Sequence, residues 1–99
     1  MHFRHRVHAQ AMRIPKGKVA TYGSLAAAAR NPRAQRAVGA IMRANDYSKT
    51  HVPCHRVINS DGSLGGYNGG IRRKMRLLRR EGAAIRKGKI DLRKYGFKF

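Results

Sequence analysis

Two short helical segments set almost end to end constrain this chain more than any other feature. Val19-Ala20 leads into Thr21, whose hydroxyl suits the cap of a helix running from about Tyr22 to Ala29. Arg30-Asn31-Pro32 interrupts it. Asn31 suits a second cap and Pro32 the first helical position, so a second helix is predicted from there to about Ala44. Helices joined by so short a turn read as a helix-turn-helix, with the second as the candidate recognition helix. At ~100° per residue, Ala34, Val38 and Ile41 share one side of it, the predicted core face. Arg36 and Arg43 fall on the other side beside Gly39 and Ala40. Residues so small would let that face approach a groove closely, whereas a merely solvated basic face would carry longer polar side chains.

The flanking segments are equally well punctuated. Phe3, Val7, Gln10, Ala11 and Ile14 recur at helical spacing, predicting a helix over 2–13 that Pro15 ends before the basic turn Lys16-Gly17-Lys18. Residues 45–51 lack periodicity and read as a loop. Val52-Pro53-Cys54-His55-Arg56-Val57 follows, holding the single cysteine on a turn that proline stiffens, with Val57-Ile58 as a short strand. A thiol acts as a nucleophile through its thiolate, which neighbouring cations favour; the plainer alternative is a small buried hydrophobe. Asn59-Ser60-Asp61-Gly62 is a turn. In Gly65-Gly66-Tyr67-Asn68-Gly69-Gly70, glycines let backbone approach a ligand and give the ring room to stack on something flat. No Lys-Ser/Thr pair follows it, which removes a phosphate-binding P-loop.

Ile71, Met75 and Leu78 predict a last helix to about Glu81, closed by Gly82, with Arg72, Arg73, Arg76, Arg79 and Arg80 outward. Glu81 is the sole glutamate, points toward the apolar side, and sits where the helix dipole disfavours negative charge. It therefore calls for a specific partner such as His55, or else a salt bridge to one of the arginines. Residues 83–99 are basic with scattered apolar side chains, and either dock on the core or remain mobile.

Charge narrows the function. The 99 residues carry 23 Lys+Arg against 4 Asp+Glu, a net charge of +19. Such an excess repels itself in a compact state, so a polyanion is the natural partner: nucleic acid first, an anionic membrane surface second. A lone cysteine cannot form an internal disulfide and suits a reducing compartment. With no apolar run of about 18 residues and no secretory pattern at the N-terminus, a location with the cell's nucleic acid, cytoplasmic or nuclear, is expected and a membrane role is not.

Taken together, Pro53-Cys54-His55-Arg56-Val57, the run from Asn31-Pro32 through Arg36-Ala37-Val38-Gly39 to Asn45, and Gly65-Gly66-Tyr67-Asn68-Gly69-Gly70 resemble the C-terminal domain of O6-alkylguanine-DNA alkyltransferases. The resemblance implies a mainly α, winged-helix-like domain over 1–82, with a helix-turn-helix and a short β-hairpin or loop carrying the active-site turn, followed by a basic tail over 83–99. It implies a monomer that binds the minor groove of double-stranded DNA containing O6-alkylguanine and takes the alkyl group onto Cys54 once, without cofactor or metal. By the same resemblance, His55 relays the thiol proton through water to Glu81, and Asn45 ties the recognition helix to the active-site turn. Arg36 fills the place of the flipped nucleotide. Tyr22 presses on the 3′ phosphate and donates toward guanine N3. Tyr67 and Met42 wall the base pocket, and the backbone near Cys54, Val57 and Asn68 reads the guanine edge. Arg43 joins Arg36 on the DNA side. The chain departs from the pattern where Asn68 stands in place of a common serine, and in its tail.

Two other readings stay open. Alkyltransferase-like proteins share the domain, carry tryptophan at the cysteine position and bind alkylated DNA without repairing it; in such a module Cys54 would be structural. A metal site from His51, Cys54 and His55 is the weakest, because adjacent Cys54 and His55 suit one ion poorly and a fourth ligand is not in place.

Overall fold

The computed structural model describes residues 2–99. Six α-helices and one pair of two-residue strands follow the order α1 (Phe3–Ala11), β1 (Ala20–Thr21), α2 (Tyr22–Ala28), α3 (Gln35–Ala44), α4 (Tyr47–Thr50), β2 (Val57–Ile58), α5 (Ile71–Arg80) and α6 (Leu92–Tyr95). A 3-10 turn, Cys54–Arg56, precedes β2. The mainly helical class and the helix-turn-helix stand as expected. The strands, however, are not a hairpin: β1 and β2 run parallel, Ala20 opposite Val57 and Thr21 opposite Ile58. The cysteine turn thus enters the fold beside the strand that leads into α2. No described helix is long and apolar enough to cross a membrane.

The strand pair divides the interior. Ala20 and Val57 face a core with Val7, Leu25, Val38 and Met42. Val19 and Ile58 face a second core with Leu64, Leu78, Ala83 and Ile90. Alternation along extended backbone sends neighbouring side chains to opposite faces, so Val19-Ala20 and Val57-Ile58 seat the helix-turn-helix on one side and α5 with residues 83–99 on the other.

Local chemistry accounts for the helix ends. Thr21 accepts from the Ser24 amide at 3.0 Å while Ser24 Oγ accepts from the Thr21 amide at 3.1 Å, a reciprocal cap. The predicted start of α3 at Pro32 is displaced to Gln35. Arg30 takes a left-handed φ of 70°, and the amides of Arg30 and Asn31 return to Ala27 and Ala26. The Asn31 backbone amide thus completes the C-terminal lock of α2, and α3 starts four residues on, after Ala34, without a side-chain cap. α1 ends at Ala11, short of residue 13, in a turn closed by Arg13 and Ile14 amides. The expected loop after Asn45 contains the short helix α4, capped by Asp46 on the Ser48 amide at 3.0 Å.

Residues 83–99 dock. Val19 and Phe97 exchange backbone bonds with the opposite segment, Val19 N–H to Tyr95 O at 2.9 Å and Phe97 N–H to Val19 O at 2.7 Å. The Ile90 amide donates to Gly62 at 2.9 Å, and Ile90 is buried.

Candidate active site

Proline removes one donor at position 53 and starts a tight turn, in which the Cys54 amide donates to Val52 O at 2.8 Å. The sulfur lies 3.7 Å from Asn45 O, within reach of a weak S–H donation. Asn45, at the end of α3, fastens this turn from both ends of its amide. Its Nδ2 donates to Val52 O at 2.9 Å, and its Oδ1 accepts from Thr50 Oγ1 at 2.7 Å. Asn45 thus connects the end of α3 to the segment that leads into the cysteine turn.

His55 is fully buried and its Nε2 lies 3.0 Å from Glu81 Oε2. Glu81 also accepts from Arg56, Nε to Oε1 at 2.9 Å and Nη2 to Oε2 at 2.7 Å. This fork-shaped pairing suits a planar guanidinium and a carboxylate. The third arm of Arg56 donates to Ile14 O at 2.7 Å. The anomalous glutamate thus has two partners, His55 and Arg56: the histidine and the arginine salt bridge set out as alternatives occur together. Burial alone would raise the Glu81 carboxyl; the hydrogen bonds from Arg56 and then His55 outweigh it and hold the pKa below the ordinary carboxylate value. Burial lowers the His55 pKa against the opposing pull of Glu81, so the ring is neutral at pH 7. With the carboxylate ionised, Nε2 carries the proton and donates. Nδ1 is then a lone-pair acceptor, and it is buried with no protein partner.

Tyr67 stands edge-on to His55, ring centroids 6.4 Å apart. Its phenol pKa is raised, first by burial and then by the neighbouring Cys54 sulfur. Tyr47 covers the other side of His55 at 4.7 Å. The sulfur is correspondingly enclosed: Cys54 is 2% exposed. In this conformation the thiol is buried, as the plainer alternative for a lone cysteine has it.

The remaining predicted residues form a second group. Tyr22, Arg36 and Arg43 line one shallow groove with Gln35, Gly39 and Asn59. The Tyr22 hydroxyl lies close to Gly65, where a Cβ would approach it to 3.1 Å. Burial raises the Tyr22 pKa against the opposing effect of Arg43, keeping the phenol protonated. Gly39 is buried rather than on the outer face, and the Arg43 side chain folds across it and across Gly66. Glycine at 39 makes room for that arginine more than for a groove. Met42 is 2% exposed and belongs to the core beneath the site, while Ile41 is only half-buried. Val57 is fully buried and its carbonyl accepts from Lys74 at 2.8 Å, so that oxygen is already engaged. Asn68 is exposed and lines a different cleft, with Asn45, Asp46 and Thr50. His51 is an exposed, left-handed cap of α4, and among the described residues no three His, Cys, Asp or Glu side chains converge as a metal site would need.

Lys74 is the residue that sequence reasoning missed outright. It is fully buried, and its ammonium donates to the carbonyls of Val57, Leu64 and Gly66. It pins β2 to the glycine-rich loop that carries Tyr67. Burial drops its pKa to about 8. The apolar period had put Ile71 inside, but Ile71 is 45% exposed and Lys74 takes the inner position.

A family model for the DNA-binding domain of 6-O-methylguanine DNA methyltransferase matches residues 2–83. The chain belongs to this family. A methylated-DNA–protein-cysteine methyltransferase of Salmonella typhimurium is 57% identical over 74 residues, 74% of this chain and 43% of that protein. A bifunctional methyltransferase/endonuclease of Picrophilus torridus is 49% identical over 84 residues, 85% of this chain and 28% of that protein. The chain thus spans less than half the length of these curated alkyltransferase relatives. Among solved structures, Schizosaccharomyces pombe Atl1 in complex with damaged DNA containing O6-carboxymethylguanine superposes with a TM-score of 0.89 at 35% identity, covering 98% of this chain and 95% of that one. Mycobacterium tuberculosis OGT in complex with DNA gives 0.75 at 42% identity, covering 82% and 49%. The Atl1 likeness takes in the docked C-terminal segment, which the family model leaves out.

Proposed function

We propose that this chain repairs DNA directly, moving an alkyl group from O6 of guanine onto Cys54. The observation that carries this reading is the buried relay. His55 offers Nδ1 as an unpartnered base on one side and is held by Glu81 and Arg56 on the other. A cysteine with only a structural role has no need of an oriented, neutral imidazole whose far nitrogen is fixed by an ionised carboxylate.

The steps follow from the groups present. Duplex DNA lies along the groove of Tyr22, Arg36 and Arg43, and Arg36, exposed on α3, takes the place of the extruded guanine. The base enters beside Tyr67, whose ring must turn aside because the sulfur is enclosed in this conformation. A bridging water passes the Cys54 proton to His55 Nδ1, and Glu81 stabilises the imidazolium that results. The thiolate attacks the alkyl carbon, forming S–C as C–O breaks, and the electron pair leaves on guanine. Tyr22, kept protonated by burial, donates to the leaving base. A thioether has no easy return, so each molecule reacts once.

The second reading, an alkylated-DNA binder without transfer, is favoured by the architecture shared with Atl1 from end to end. Incubation with an oligonucleotide containing O6-methylguanine separates the two by intact protein mass. Transfer predicts one added methyl group, absent in Cys54→Ala. A shift in gel mobility with no change of mass would establish the binder instead.

A further inference from the structure

The four acidic side chains of this chain each have a local partner. Asp46, Asp61 and Asp91 each cap a nearby amide, and Glu81 is held by Arg56 and His55. Asp46 lies near enough to Arg73 to feel its charge, but no acidic side chain forms a salt bridge with Arg72, Arg76 or Arg79 among the described residues. On the outer face of α5, Arg72, Arg76 and Arg79 recur at intervals of four and three, opposite the buried Lys74 and Leu78, with Arg73 and Arg80 at the margin. Like charges at that spacing destabilise a helix. Arg72 and Arg73 also sit in the first turn, where the dipole disfavours cations and no acidic residue stands. A helix arranged so gains from a polyanion laid along it.

This face is not the groove of Tyr22, Arg36 and Arg43. That groove belongs to the helix-turn-helix, packed on the first core, whereas Leu78 packs α5 into the second core, across the strand pair. In the docked segment 83–99, Arg86, Lys89 and Lys94 line a separate cavity together with Asp91 and Tyr95.

We propose that the outer face of α5 is a second duplex-binding surface, so that one molecule holds two segments of DNA at once. This rests on the reading that the helix-turn-helix groove takes the first duplex, and it goes beyond it. Closely spaced phosphates on a stiff rod match a straight row of guanidinium groups without any base contact.

The test uses the full chain, short unmodified duplexes in excess, and native mass spectrometry at low salt. The wild type should give a complex of one protein with two duplexes. R72Q/R76Q/R79Q should give one with one, and R72K/R76K/R79K should regain the second. The glutamine variant should also lower the salt slope of binding by up to about three, near 0.9 per lost phosphate contact. Methyl transfer to Cys54 is measured on the same samples. A wild type that never binds a second duplex, or a glutamine variant that binds it as well as the wild type, overturns the proposal. Loss of methyl transfer with the second duplex still bound would count against the repair reading alone.

Discussion

Replacing Glu81 by glutamine keeps the side chain's volume and removes its charge from the centre of the relay. In the wild type the carboxylate lies 3.0 Å from His55 Nε2, so it stabilises the imidazolium formed when Cys54 gives up its proton. Unit charges at that distance attract by roughly 5 kcal/mol at an effective dielectric of about 20. Arg56 sits on the same carboxylate at 2.7 Å and repels the imidazolium, cancelling much of this. A surviving share of about 1–3 kcal/mol corresponds to roughly one to two pH units. Single-turnover methyl transfer from an O6-methylguanine oligonucleotide, followed across pH, should therefore reach half its plateau one to two units higher in Glu81→Gln. Stability responds separately. The Glu81 pKa is lowered on folding, so its contribution is present above the ordinary carboxylate range and is lost as pH falls through the folded value. The variant leaves Arg56 without its counter-charge, costs on the order of 3 kcal/mol at pH 7, and lacks that acid dependence. A variant that folds and keeps the wild-type pH–rate profile would remove Glu81 from the proton path and refute the relay argument.

Further consequences can be measured independently. Asn45→Ala loses the bonds to Thr50 and Val52 and should lower stability by about 2–3 kcal/mol in denaturant unfolding; a loss below ~0.5 kcal/mol would mean the tie is idle. Lys74→Met leaves three carbonyls without their charged donor and should cost about 2–4 kcal/mol at pH 7. Because folding lowers the Lys74 pKa to about 8, the unfolded chain holds that proton longer, and wild-type stability should climb as pH rises from 8 toward the ordinary lysine value. The climb should approach roughly 3 kcal/mol and be missing from Lys74→Met; parallel pH curves would contradict the burial of a charged amine. Arg36→Ala should slow transfer from duplex DNA by at least about tenfold while sparing reaction with free O6-benzylguanine, and equal slowing would remove its part in base extrusion. Tyr67→Ala should speed iodoacetamide labelling of Cys54 on the order of tenfold, whereas an unchanged rate would show that Tyr67 does not cover the sulfur.

What could be read before folding was whatever local chemistry dictates. The Thr21 cap, the Gly82 stop, the Val57-Ile58 strand and the odd placement of Glu81 each rest on a few adjacent residues, and each appears in the fold. The failures lie where a distant partner decides. Asn31 has a good cap side chain, yet the left-handed Arg30 draws its backbone amide into the end of α2 and α3 begins only at Gln35. Lys74 looks like one more surface cation until three carbonyls from another stretch surround it. Arg56 follows His55 in sequence, and only the fold reveals that it bridges Ile14, in the turn after α1, and Glu81, at the end of α5. The parallel pairing of β1 with β2 joins segments that no pattern of alternation could have matched.

Everything turns on whether the enclosed sulfur of Cys54 becomes a thioether when alkylated DNA is supplied. The most direct measurement is peptide-level mass analysis of the protein after incubation with excess O6-methylguanine duplex, with the duplex analysed in parallel. The account predicts one methyl group per protein molecule, on the peptide that contains Cys54, matched by an equal amount of restored guanine. Bound duplex with its methyl group intact and an unmodified Cys54 peptide would contradict it.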